Sequence, residues 1–217
     1  MSSATLYRAS GLALLLGALL GIIGTILGSA LFPGNDPHQY TTPLWLVVTL
    51  VGFIGPLLLL LGLPGIPALQ ASRAGWLGFI GFILTFIGGF LLTSFSVVTL
   101  LVFPWLAQVA PKLAAGSGPP AIFVFFLVAG ILFALGGILL GIAVMRAGIL
   151  PGFAGLLLLI GAVLTLVTIP LNGIISTIVS DVAFVLFAVG LGWMGYVLMS
   201  ARSMEVNDRI LTGAISG

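Results

Sequence analysis

Residues 9–31 read ASGLALLLGALLGIIGTILGSAL, a run with no charge and with apolar or small residues on every face. A helix needs roughly 20 mainly apolar residues to cross a bilayer, and this run exceeds that length. Transmembrane strands alternate apolar and polar positions. Leu12–Leu27 does not alternate, so the segment reads as a helix whose backbone satisfies its own hydrogen bonds in lipid. Further runs of the same kind lie at about 44–63, 75–103, 121–145, 149–171 and 178–200.

The remaining composition agrees with that reading. Of 217 residues, 61% are hydrophobic and 5% are charged, too few charges to cover a water-soluble domain. The polar stretches at 33–42, 111–120 and beyond Arg202 are too short to bury cores of their own. The expected fold is therefore all-α: a single polytopic transmembrane domain over 1–217, made of six helices, with a short cytoplasmic tail at 202–217. Arg8 and the apolar run after it imitate a signal peptide, but the run is longer than an ordinary signal-peptide core, so a retained first helix is expected.

Basic residues in short loops set orientation. With the N-terminus in the cytoplasm, Arg8, Arg73, Arg146, Arg202 and Arg209 all fall inside and only Lys112 falls outside. The expectation is N-in and C-in, in a bacterial-type inner membrane. Tyr7, Trp76, Trp193 and Tyr196 would then mark the inner interface, and Tyr40, Trp45 and Trp105 the outer one, because these rings prefer the headgroup level. The net charge of +2 comes without a basic patch, so nucleic acid is not an expected partner. Membrane lipids are expected, with other integral subunits or self-association as further partners.

Helices already in lipid associate through close packing of small residues. The chain has 31 glycines. Gly17, Gly21, Gly24 and Gly28 form one stripe on the first span, and Gly130, Ala134, Gly137 and Gly141 form another on the fourth. Both are expected to lie at helix contacts, and a contact between spans one and four is one way to use them. The motif Gly75-Trp76-Leu77-Gly78 after Arg73 parallels Gly152-Phe153-Ala154-Gly155 after Arg146, which suggests a repeated hairpin. An inverted repeat of two triplets is the competing arrangement. Pro56 should kink the second span, and Gly62-Leu63-Pro64-Gly65-Ile66-Pro67 reads as a break at its end.

Chemistry is sparse. No cysteine is present, which removes thiolate catalysis, disulfides and cysteine metal sites. No charge lies mid-span, whereas proton pumps, voltage sensors and ion-coupled carriers generally place ionisable groups at depth. Asp181 reads as an N-cap or first-turn acid of the sixth span. His38 and Asp36 share a turn-rich loop, and an outer-face activity using them with Asp181 is the weakest of the alternatives. No cofactor, metal site or enzyme activity is expected. Thr93 and Ser96 on the third span, with Pro56, Asn172 and Asp181, could line an outward pocket for a neutral solute or lipid. Against that stands the habit of Ser and Thr in helices of bonding back to the preceding turn. The leading expectation is a non-catalytic structural or accessory subunit of a membrane assembly; the alternative is a carrier or binding protein for a neutral or lipophilic small molecule.

Overall fold

A computed structural model describes residues 3–34, 36–70, 73–115, 120–169, 171 and 173–215. These residues form helices, and no strand occurs among them. In chain order the helices are α1 (Ser3–Leu31), α2 (Pro43–Gly62), α3 (Gly65–Gln70), α4 (Gly75–Val109), α5 (Pro111–Ala114), α6 (Pro120–Ala147), α7 (Gly152–Thr168) and α8 (Gly173–Ile215). A 3-10 turn, Pro37–Thr41, precedes α2. Five helices, α1, α2 with α3, α4, α6 and the Gly173–Ser200 part of α8, are long and apolar enough to cross a membrane. The apolar α7 has 17 residues, about 26 Å at roughly 1.5 Å per residue.

The helices pack antiparallel to their chain neighbours and close into a ring, α1–α2–α4–α6–α7–α8, with α8 returning to α1. Glycine decides the register. A Cβ at Gly17 would lie 2.6 Å from the Leu59 amide nitrogen, and one at Gly11 would lie 2.6 Å from the Gly195 carbonyl oxygen. The α1 stripe is thus used against α2, while Gly11 and Gly21 also meet α8. Gly137 and Gly141 on α6 face α7, and Gly136 faces α4. Spans one and four do not use their stripes on each other. Sequence neighbours joined by short turns meet first, and each small-residue face is taken up by the adjacent helix.

Arg8, Arg73 and Arg146 lie exposed at one end of the ring, here the basic end. Turns there reverse through glycines with positive φ, Gly75 (55°) and Gly148 (64°). The paired motifs behave alike: Trp76 and Phe153 stand 78% and 71% exposed, while Gly78 and Gly155 are buried against α6 from its two sides.

Several boundaries depart from the sequence reading. The third span runs through Pro104 to Val109 rather than stopping at 103. Proline removes one backbone bond, but Phe103, Leu106 and Ala107 pack beside Tyr40, Trp45 and Ala114 in a small second core, which offsets that loss. For the same reason Tyr40 and Trp45 are not lipid-facing belt residues: Trp45 is 5% exposed and meets Tyr40 edge-on at 5.2 Å. The first span begins at Ser3 rather than 9, and α8 continues to Ile215 where a short tail was expected. Since α8 begins at Gly173 instead of 178, Asp181 sits about two turns inside the helix and is neither cap nor first-turn acid.

Toward the basic end the ring is filled. Leu63, Ile66 and Gln70 at the α2–α3 break are buried with Leu14, Leu140, Met194 and Leu198. The break forms as expected: α2 stops at Gly62 and α3 starts at Gly65. The Tyr7 hydroxyl donates to the Ala68 carbonyl at 3.2 Å and ties α3 to α1. Tyr7→Phe is expected to cost about 0.5–1 kcal/mol, read as a lowered unfolding midpoint in detergent.

Candidate functional site

Away from the basic end the same helices diverge, and glycine again reports it. Gly28 and Gly130, the members of the two stripes farthest from the basic end, have no described neighbour from another helix within 4 Å of a Cβ position. Both line cavities rather than helix contacts. Ala134 is fully buried, in keeping with a packing position.

One cavity lies near mid-height, with a volume of about 210 Å³. Pro56, Leu59, Leu60 and Leu63 of α2 form one wall; Thr85, Gly89, Leu92, Thr93 and Ser96 of α4 form another; Phe133, Phe184, Phe187 and Leu191 complete it. A second cavity of about 370 Å³ shares Leu92, Phe133 and Phe184 with the first and extends along α6, α7 and α8 toward the far end. A third, of about 420 Å³, shares Ser96 and lies among α1, α2 and α4 beneath Tyr40 and Trp45. The chain of cavities runs from mid-height to the far end, whereas Leu63 and the residues below it close the basic side.

Its chemistry is apolar with a few hydroxyls. Thr85 donates to the Gly81 carbonyl at 2.8 Å, Ser94 to Phe90 at 2.7 Å and Thr99 to Phe95 at 3.2 Å, each satisfied on the preceding turn. Thr93 and Ser96 differ: their hydroxyls make no hydrogen bond to another described residue. Both sit on the cavity wall, and Thr93 is 6% exposed. Both oxygens face open space in the cavity, since among the described residues Gln70 Nε2 is the one fully shielded side-chain polar atom left without a partner. These two groups are therefore available to a guest that can accept or donate a hydrogen bond.

The structure brings together three of the five pocket residues expected from sequence, Pro56, Thr93 and Ser96. Asp181 lies elsewhere, half-buried beside Gly28, Ser29 and Thr177 in a larger cavity of about 830 Å³ between α1 and α8 at the far end. Asn172 lies outside the described residues, as does the side chain of Arg202. Asp36 serves its own loop, its carboxylate accepting from the His38 amide at 3.0 Å. Among the described residues no group of three or more His, Asp or Glu side chains gathers at one point.

Sequence reasoning missed Leu60, Gly89 and the three phenylalanines of the cavity. They carry no polar signal, and only the ring closure brings α2, α4, α6 and α8 to one volume. The Phe133 and Phe187 rings, 4.6 Å apart, form the wall opposite α2. The chain matches no model of a known protein family, and comparison with curated proteins and with solved structures gives no match.

Proposed function

We propose that this membrane protein binds a small, neutral, largely apolar molecule carrying one or two hydrogen-bonding groups, in the mid-height cavity between α2, α4, α6 and α8. The carrying observation is the pair of unpartnered hydroxyls, Thr93 and Ser96, on an otherwise apolar wall. An apolar cavity of roughly 150 Å³ holds benzene, so the volume here suits a guest somewhat larger. Depth near mid-height is where membrane carriers commonly hold their cargo. Among the described residues no charged side chain lines the cavity, which favours neutral guests over ions.

In this reading the protein is non-catalytic and crosses the membrane six times, α7 being the short fifth span. The basic end faces the cytoplasm by the distribution of arginine, and a bacterial-type inner membrane is the proposed location. The cavities then open outward, and the Leu63–Gln70 segment closes the cytoplasmic side. A structural or accessory role was the leading expectation from sequence. The cavity and its free hydroxyls move the balance to binding.

Native mass spectrometry after gentle extraction from the source membrane tests this. A chain alone or self-associated, retaining a neutral small molecule, is expected. Co-migrating integral subunits with no retained molecule would replace the binding reading with the accessory one. Thr93→Val, which keeps shape and removes the hydroxyl, should weaken retention about fivefold, equivalent to about 1 kcal/mol, with folding unchanged.

A further inference from the structure

Five of the six seams of the ring are locked backbone to backbone at glycine. At α1/α2, a Cβ on Gly17 would meet the Leu59 nitrogen at 2.6 Å; at α1/α8, one on Gly195 would meet the Gly11 oxygen at 2.6 Å. At α4/α6, one on Gly81 would meet the Leu140 nitrogen at 2.5 Å; at α6/α7, one on Gly141 would meet the Gly155 oxygen at 2.7 Å; at α7/α8, one on Gly161 would meet the Ala183 oxygen at 2.6 Å. The sixth seam, α2/α4, has no such approach among the described residues. A Cβ on its Gly89 would meet α2 first at the tip of the Leu60 side chain, Cδ2 at 2.9 Å.

The difference is mechanical. Backbone contacts at glycine cannot open without separating whole helices, whereas a leucine tip moves by changing rotamer with its helix in place. Leu60 and Gly89 are also both wall residues of the mid-height cavity, so the unlocked seam lies at the cavity rather than beside solid core. Pro56, one turn away on α2, leaves a backbone carbonyl without its helical donor and weakens α2 at the same level. Beyond the seam, Leu57 and Leu61 are exposed on α2, as the lipid-facing residues of a span should be.

We infer that the α2/α4 seam is a lateral entrance through which an apolar guest passes from the bilayer into the cavity, with Leu60 against Gly89 as its latch. This rests on the binding reading and specifies its route: cargo dissolved in lipid rather than in water. The seam parts at mid-height only: at the far end Tyr40 and Trp45 pack with Phe103, Leu106 and Ala107 of α4 and hold the two helices together.

The test uses the full chain in phosphatidylcholine nanodiscs and a small apolar photolabel, 3-phenyl-3-(trifluoromethyl)diazirine, mapped by peptide mass spectrometry. Because the natural chain has no cysteine, L60C/G89C can be bridged selectively by oxidation or by a short bifunctional thiol reagent. Bridging before the label is added should lower labelling of Thr93 and Phe133 at least fivefold, while exposed Leu61 is labelled as before. Bridging after equilibration with the label should leave cavity labelling in place. Unchanged cavity labelling with the seam bridged first would overturn lateral entry and leave the binding reading standing. A cavity that stays unlabelled in the unmodified protein while Leu61 is labelled would overturn the binding reading itself. If the double variant does not fold, Leu60→Ala serves: early cavity labelling should rise severalfold, and an unchanged rate would refute the latch.

Discussion

Gly17→Leu is expected to destabilise the protein by about 3 kcal/mol or more, while Gly28→Ala on the same stripe leaves stability unchanged or raises it by up to about 1 kcal/mol. At Gly17 the first atom of any side chain would sit 2.6 Å from the Leu59 nitrogen, 2.8 Å from the Gly55 oxygen and 3.0 Å from the Leu58 Cβ. Two of these three neighbours are backbone, so rotamer changes cannot relieve the overlap and α1 must move off α2. That motion would loosen the close packing that holds helices together in lipid, where little hydrophobic force remains to compensate. At Gly28 nothing lies within 4 Å, and a helical alanine is entropically better than glycine. Unfolding followed in detergent by urea or heat would measure both. Equal losses at the two positions would show that the far ends of α1 and its neighbours are packed as tightly as their middles, contrary to the divergence described above.

Gln70→Met is expected to stabilise the protein by about 1–3 kcal/mol. Gln70 is 1% exposed, and its Nε2 has no hydrogen-bond partner among the described residues. An amide buried without a partner carries its desolvation cost uncompensated, and a methionine of similar length fills the same space without that cost. The effect should appear as a raised thermal midpoint. A fall instead would mean that the amide is bonded in the membrane-embedded protein, through a water molecule that methionine displaces. Natural proteins retain such costs where a segment must move or bind, and Gln70 ends the short α3 that closes the basic side of the ring.

The largest part of the architecture was legible because lipid imposes a simple rule. A run such as 9–31, apolar on all faces, has to be a helix wherever it is placed, and the arginines at the gaps fix which ends lie together. The break at Pro64-Gly65 was equally readable, since proline and glycine act locally. Pro104 lies just past the expected end at 103 and acts locally against a helix, yet contacts with Tyr40 and Trp45, distant in sequence, carry α4 onward. Burial of those two rings, which sequence assigned to the lipid interface, has the same origin.

The candidate site divides along the same line. Thr93 and Ser96 stand out in the sequence as hydroxyls in an apolar span, but so do Ser94 and Thr99, which bond to their own helix. Which hydroxyls remain free depends on where the cavity lies, and that depends on which neighbours meet at each glycine. Gly17 and Gly28 are indistinguishable as members of a stripe; only the crossing of α1 with α2 makes one a backbone contact and the other a cavity wall. The solvent, the helical state and the shared basic end can be read from the residues alone, because they follow from composition and local backbone hydrogen bonding. Ring closure, the mid-height cavity and the one unlocked seam were decided only by tertiary structure, because packing in lipid turns on sub-ångström approach between surfaces that are all alike in polarity.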